Sequence, residues 1–560
     1  MQSKSVFSSV TSLIPFVNTT DGNRVQMASS MIRQSQLLER GEPPLIVPEH
    51  AFLKGSALSY QRAPKPGIVV DKYQNVMLVQ YDDGEEDVFL LNDMLTTSFN
   101  IGQRFNAHDI LVHHKGFDPI LELPRTGLNA NVMFGTESSK TYEDAVVLTE
   151  SGSEAFKYIY PVKLVYEFYN NILISIEKNL KPGIELKQGD VILIKKKYTS
   201  SLNSLVTPET IKEYSPYSFM ITQISAFYKD EFLKYQPEPT RKLFQYFGKS
   251  ETNLHPLIKK ALKKSFSFDG DAYLVIEGLM VAKPGKGDKF ANPYGNKGVV
   301  SAIIPDFHLY DDMNQIKFTP HIVHTPVGVP SRMNPGQILH MALGYILKHV
   351  VPKRLKQLQT LDEKVKFLLN VYRYIEPSRI KQLVEALKVY DRENLKKQIK
   401  YIERHGFRII VSQFSYNMFD KVYKLYKELG VPTSFIDERT GLRMGAGVIY
   451  SFPLEHLAFK KIKHISTGPV DSRTLQPADG QRMGEMEMWT LASHNALNFL
   501  KESLTVRSDD VRNKGRVIGE LIRNGKSSIK DKRTYSPTFD LFKSYIGLMG
   551  IEIVDKDKLK

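Results

Sequence analysis

The chain has 560 residues, 76 Lys and Arg against 61 Asp and Glu, a net charge of +15, and no cysteine. At about 100–200 residues per domain, this length suits roughly three to five domains, with cores that need no disulfide or metal staple. Without cysteine there are no disulfides, Cys–zinc sites, iron–sulfur clusters or thiol nucleophiles. The positive balance suits a polyanion such as nucleic acid or an acidic membrane surface, and suits a merely soluble basic protein equally well. No apolar run is long enough for a membrane span.

In chain order, a helical stretch is expected over 21–40, with Asp21 as N-cap. Short strands are expected within 67–91, with Asp82-Asp83-Gly84 as the turn between two of them. A small signature then repeats. Ile101-Gly102-Gln103 leads to His108-Asp109-Ile110-Leu111, and Gly183-Ile184-Glu185 leads to Gly189-Asp190-Val191-Ile192-Leu193. Each reads as strand, tight turn, strand, as in small β-barrels. Residues 202–264 read as an inserted module rich in Tyr, Phe and Lys, and 271–345 as strand-like runs broken by Gly and Pro. Helical spacing dominates 346–430, which carries 19 Lys and Arg against 9 Asp and Glu. Gly-rich polar chain with apolar strand pieces follows over 441–490, then a helix within 486–505, and a helix followed by a strand over 538–554.

Three clusters have residue types that could carry chemistry. The densest runs from Gly287 to Gly298, with Lys289 and Lys297 eight residues apart on a loop rich in Gly and Asn. Gly and Asn permit tight turns, and a phosphate chain would relieve the repulsion between two ammonium groups held close together. The loop lacks P-loop spacing, and as a bare pattern it reads as solvated lysines. The second cluster places Arg332 between Pro330 and Pro335, a guanidinium pre-oriented for a phosphate or simply a surface turn. The third is Glu143-Asp144 before an apolar strand, a pair able to meet Mg²⁺ through oxygen or water, although adjacent acids are common. The histidines at 113–114, 321, 324, 456 and 464 form no specific ligand pattern.

Taken together and in order, these clusters resemble the C-terminal half of the β subunit of multisubunit bacterial-type DNA-dependent RNA polymerase. The resemblance opens with Ser12-Leu13-Ile14-Pro15-Phe16, Asp21-Gly22-Asn23-Arg24 and Met31-Ile32-Arg33-Gln34. It continues through Tyr142-Glu143-Asp144, the lysine loop and Gly328-Val329-Pro330-Ser331-Arg332-Met333-Asn334. Ser466-Thr467-Gly468-Pro469, Gly480-Gln481-Arg482-Met483-Gly484-Glu485-Met486-Glu487 and Leu504-Thr505-Val506-Arg507-Ser508-Asp509-Asp510-Val511 complete it, with Pro537-Thr538-Phe539 and the run to Val554 like the family's C-terminal helix and strand.

The resemblance implies a mixed α/β (α+β) multidomain chain around a double-psi β-barrel. Its parts would be a hybrid-binding and fork-side region over 1–100, the barrel with its active-site loops over 101–157 and 271–345, and a flap-like insertion over 158–270. A basic helical insertion over 346–435, hybrid-binding loops over 436–485 and a clamp-associated segment over 486–560 would follow. Lys289 and Lys297 would contact phosphates at the RNA 3′ end and the reacting nucleotide, and Arg24 and Arg332 the triphosphate. Arg33, Gln34, Asn296, Asn334, Lys463, His464 and Arg482 would contact RNA, NTP or DNA. Glu143 and Asp144 would lie near the second Mg²⁺, the catalytic ion being held mainly by three aspartates of a β′-type partner. Phe268-Asp269-Gly270-Asp271 echoes that aspartate motif, but Ser267 stands where its first Asp would be, so it reads as a turn. Two departures stand out. Lys463 replaces a usual His, with His464 beside it, and the stretch before Gly480 is shortened to Pro477-Ala478-Asp479.

The implied partners are β N-terminal-type and β′-type subunits, a promoter-specificity subunit, template DNA, RNA and NTPs, with no membrane. Because the matches begin within about ten residues of Met1, the N-terminal half of β is expected on a separate chain, as in the split polymerases of giant bacteriophages. That source implies the host cytoplasm or the virion as location. The chain is expected to be one subunit of the enzyme and inactive alone. A non-catalytic nucleic-acid-binding scaffold descended from such a subunit is the alternative.

Overall fold

The computed structural model describes residues 7–8, 10–49, 60–73, 76–91, 95–118, 123–169, 172–177, 180–197, 209–253, 255–258, 260, 270–311, 316–389, 391–414, 416–461, 471, 480, 482–527 and 536–554. They form two compact units, 1–457 and 458–560. Mixed helix and sheet run through the first unit, and helices make up the second.

The centre of the first unit is a closed ring of six strands: β1 (Leu128–Phe134), β2 (Ala145–Thr149), β3 (Lys289–Ala291), β4 (Lys297–Ile304), β5 (Ile322–His324) and β6 (Arg443–Pro453). Around the ring the order is β1-β5-β2-β4-β3-β6, and β6 pairs back onto β1 from Leu128↔Ser451 to Phe134↔Gly445. Two pairings, β1–β5 and β2–β4, are parallel and the others antiparallel. All of β1 is buried, as is β6 from Ala446 onward, and the two asparagines of β1 are bonded there, Asn129 Nδ2 donating to the Pro43 carbonyl at 3.0 Å and Asn131 Nδ2 to the Thr319 carbonyl at 2.9 Å. Closure leaves these strands no open edge. The sixth strand comes from 443–453, beyond the 101–157 and 271–345 segments in which barrel strands were expected.

Helix α1 (Gly22–Arg33) begins where expected, with the Asp21 carboxylate accepting from the Asn23 N–H at 3.0 Å. It stops at Arg33 and does not run to residue 40. There the backbone turns to the end of β6, bridging Ser35 to Leu454 and donating from Gln36 N to the Pro453 carbonyl at 2.8 Å. Tertiary pairing takes over hydrogen bonds that further helix would have made internally. A second correction concerns 336–345, read as part of a strand-like region. It is helix α2 (Gly336–Tyr345), whose Leu339 and Leu343 enter a core shared with Phe16, Tyr294 and the helices that follow. Its spacing of three to four residues is that of a helix face, seen across a Pro-Gly boundary. Backbone-close contact seats α2 on β6: a Cβ at Gly344 would lie 2.4 Å from the Val448 carbonyl oxygen, and one at Gly447 2.4 Å from that of Met341.

The helical reading of 346–430 is met by α3 (Leu361–Ile375), α4 (Ile380–Val389), α5 (Arg392–His405) and α6 (Met418–Leu429). The expected strands at 67–91 are Gly67–Tyr73, Val76–Tyr81 and Glu86–Leu90. Residues 158–168, 272–282 and 219–228 build a separate antiparallel sheet with its own core, including Phe168, Phe232 and Phe244. Near the C-terminus a helix spans Pro537–Leu548, but 551–554 pair with no strand among the described residues. Among the described residues, no helix is long and apolar enough to cross a membrane.

Candidate functional site

The lysine loop is the β3–β4 hairpin. Its register sets Lys289 opposite Val299 and Ala291 opposite Lys297. Directly paired residues share a face, as do residues two apart on a strand. Lys289 and Lys297 are therefore diagonal neighbours on the outer face, while Phe290, Gly298 and Val300 on the other face are buried. Lys297 is exposed and Lys289 half-buried. A spacing of eight residues thus becomes a pair roughly 7–8 Å apart across the ribbon.

The tip is built from its own side chains. Asn292 Oδ1 accepts from the Tyr294 N–H at 3.0 Å, the Asn292 N–H donates to the Asn296 carbonyl at 3.0 Å, and Gly295 turns the chain at φ +71°. Two arginines close on this tip. Arg24, in the first turn of α1, donates from its guanidinium to the Gly295 carbonyl at 3.3 Å. Arg332 donates to Asn296 Oδ1 at 2.7 Å and to the Asp144 carboxylate. Burial, and then the charge of Arg24, hold the Arg332 pKa below its ordinary value. The two guanidiniums therefore repel one another, and a bound anion would relieve that repulsion. Glu143 (φ 48°) and Met333 (φ 47°) flank the Asp144–Arg332 contact in the left-handed region. Such backbone is held by its surroundings and clusters at functional sites.

The structure thus gathers Lys289, Lys297, Arg24, Arg332, Asn296 and Asp144 at one hairpin. Glu143 lies beside them, exposed. Asn334 is buried at 1 % exposure, and its amide donates to the Tyr294 carbonyl, so it props the tip from behind. Arg33 is exposed at the end of α1. Gln34 is tied to the 455–456 segment, its Oε1 3.2 Å from His456 Nε2 and its carbonyl accepting from the Glu455 N–H. Arg482 is exposed in the second unit. Lys463, His464, 466–469, 477–479, Gln481 and 267–269 lie outside the described residues. Asp271 is ion-paired with Lys229 at 2.8 Å.

Among the described residues no group of three or more His, Asp or Glu comes together as a metal site. Glu143 and Asp144 offer two carboxylates, one of them facing Arg332. That is short of the near-octahedral oxygen set that Mg²⁺ demands.

Residue-level reading of the sequence did not single out Gln337 or His340. Gln337 Oε1 accepts from Asn292 Nδ2 at 3.3 Å and Asn296 Nδ2 at 3.5 Å, and His340 Nδ1 lies 2.8 Å from the Tyr294 hydroxyl. Their signal was present as two polar residues three apart on an otherwise apolar helix.

A closed ring of strands with four cationic side chains gathered at one hairpin is an arrangement whose charges could meet an anion. The description "RNA polymerase Rpb2, domain 6" matches residues 85–483, and "RNA polymerase Rpb2, domain 7" matches 479–554. The chain belongs to this family and corresponds to the C-terminal half of its β subunit. It is similar to proteins named DNA-directed RNA polymerase subunit beta. That of Mycoplasma genitalium is 26 % identical, covering 91 % of this chain and 40 % of the relative. That of Spiroplasma citri is 26 % identical over 93 % and 38 %, and that of an Arthrobacter species 26 % identical over 93 % and 44 %. The chain spans about 40 % of the length of these relatives.

Proposed function

We propose that this chain supplies the phosphate-holding side of the active centre of a DNA-dependent RNA polymerase. The observation that carries the reading is the convergence of Arg24 and Arg332 on the tip of the hairpin whose outer face bears Lys289 and Lys297. The six-stranded ring would be the family's double-psi β-barrel, and the chain would work with β N-terminal-type and β′-type partners on DNA, RNA and NTPs.

In nucleotide addition the RNA 3′ hydroxyl attacks the α-phosphorus of the NTP, its proton leaves, and pyrophosphate departs. Negative charge builds on the phosphate oxygens. Fixed cations placed there stabilise that transition state without having to reorganise. In this reading Lys289 and Lys297 meet the α-phosphate and the RNA 3′-terminal phosphate, and Arg24 and Arg332 the triphosphate. Asp144 and Asn296 keep the Arg332 fork aimed. Glu143 and Asp144 are the residues here that would help to hold Mg²⁺, with the partner's carboxylates providing most of its ligands.

The test is single-nucleotide extension of an RNA primer on a DNA template by the chain assembled with its partners. Lys297→Ala and Arg332→Ala should each lower the rate about 10²-fold, the loss typical of one preorganised charge-stabilising donor. Rates within twofold of the parent in assembled, DNA-bound enzyme would defeat the assignment and favour the scaffold alternative.

A further inference from the structure

The lysine hairpin is held at its base and at its tip by different means. At the base, β3 pairs with β6 through Phe290↔Pro453 and Ala291↔Phe452. At the tip, Tyr294 is fully buried in the core it shares with Leu339 and Leu343. Its hydroxyl meets the His340 imidazole there, with Nδ1 at 2.8 Å and the rings edge-on at 87°. The other nitrogen of that ring faces β6: the Tyr450 backbone N–H donates to His340 Nε2 at 3.3 Å.

These two contacts fix the proton. A backbone N–H can only donate, so Nε2 presents its lone pair. A neutral imidazole carries a single N–H, which must then sit on Nδ1 and point at the Tyr294 oxygen. The ring is neutral because it is 1 % exposed, and burial pushes its pKa down to about 3.

We infer that His340 is a positioning residue for the lysine hairpin: as the Nδ1–H tautomer dictated by the Tyr450 backbone, it ties Tyr294 at the hairpin tip to β6. Helix α2 gives it a rigid platform, seated on β6 by the close backbone approaches at Gly344 and Gly447. The hairpin is then clamped between two contacts with one strand, and Lys297, three residues from Tyr294, is kept from pivoting about the base. The inference rests on the phosphate-holding reading of that hairpin.

The two contacts can be separated by amide replacements. Asparagine places an N–H where Nδ1 stands, and glutamine places an acceptor where Nε2 stands. His340→Gln should therefore lose the Tyr294 contact, and His340→Asn should keep it. In the assembled enzyme, Tyr294→Phe and His340→Gln should each lower the rate of nucleotide addition about tenfold, with template binding unchanged. The double variant should be no slower than either single one, because both remove the same bond. His340→Asn should recover most of the loss. Thermal melting of each full-length variant, read beside the rates, separates misfolding from misplacement. If folded His340→Gln or Tyr294→Phe enzyme runs at the parental rate, or the losses multiply in the double variant, the inference is overturned. Lys297→Ala, run in parallel, keeps the two readings apart. Its impairment alongside normal Tyr294→Phe and His340→Gln rates sinks only the role of His340, and its normal rate sinks the phosphate-holding assignment itself.

Discussion

Gly295→Ala probes the site with the least chemical change. Gly295 is buried at the hairpin tip with φ +71°, and an added Cβ would stand 2.4 Å from the Arg24 carbonyl oxygen, 3.1 Å from its carbon and 3.2 Å from its Cα. Left-handed backbone costs a residue with a Cβ about 1–2 kcal/mol. The steric part is additional. Real Cβ contacts do not fall below 3.0 Å, so the hairpin and the first turn of α1 must part by roughly 0.6 Å. The obstacle is backbone, already committed to the turn capped by Asp21, and has no rotamer to change. Overpacking of this kind costs about 1–3 kcal/mol, for a total of roughly 2–5 kcal/mol. Parting the two segments also carries the Arg24 guanidinium away from the Gly295 carbonyl it bonds. Because a misplacement of about 1 Å costs on the order of 10²-fold in rate, a shift of this size should cost about tenfold. Gly84→Ala is the control, with φ +87° and nothing within 4 Å of the added Cβ. It isolates the backbone term. Urea unfolding of the full chain gives the stabilities, and single-nucleotide addition by the assembled enzyme gives the rates. Equal destabilisation in the two variants with an unchanged rate for Gly295→Ala would refute the argument that this glycine is required by its contact with Arg24.

Acid should weaken the first unit through its buried histidines. Burial pushes His324 down to about 4 and His340 to about 3, against an ordinary value of 6.5. Below pH 6.5 the unfolded chain takes up protons that the folded chain refuses, so stability is full above that pH and falls as pH drops toward 4. Each group contributes about 1.4 kcal/mol per pH unit in that window, roughly 2–3 kcal/mol for the pair between pH 7 and 5.5. Denaturant midpoints at the two pH values measure the loss, and His324→Asn should remove about half of the pair's share; a slope unaffected by that change would contradict it. Separately, Thr360→Ala should cost about 1 kcal/mol in the first turn of α3. It breaks a reciprocal box in which Thr360 Oγ1 accepts from the Glu363 N–H at 3.3 Å and Glu363 Oε2 accepts from the Thr360 N–H at 3.2 Å. Hydrogen exchange should accelerate at 361–364 alone, and uniform protection there would count against the cap.

Local pattern was enough for much of this chain. Alternation and turn residues marked the strands within 67–91, helical spacing marked 346–430, and Asp21 marked the start of α1, because each is set by contacts within a few residues. Ordered motifs likewise marked Lys289, Lys297, Arg24 and Arg332 as a set, since residue types in sequence order survive without knowledge of distance. The end of α1 and the identity of α2 were not legible. Each was decided by a partner distant in the chain: β6 captured the backbone at Ser35 and Gln36, and it seated Gly344 against Val448. The same holds within the site. Nothing local distinguishes Asn296, bonded to Arg332, from Asn334, buried under Tyr294. Both are asparagines in turns. Both are buried, and which one meets the arginine depends on where the hairpin folds over α2. Gln337 and His340 took their meaning the same way, from a helix face that only the closed barrel places behind the lysines. The sequence by itself therefore determined which charges this protein carries and the elements that bear them. The tertiary structure decided which of those groups meet, because a hydrogen bond or a phosphate-sized gap is set by distances of a few ångströms between segments that, for Arg24 and Gly295, lie 271 residues apart.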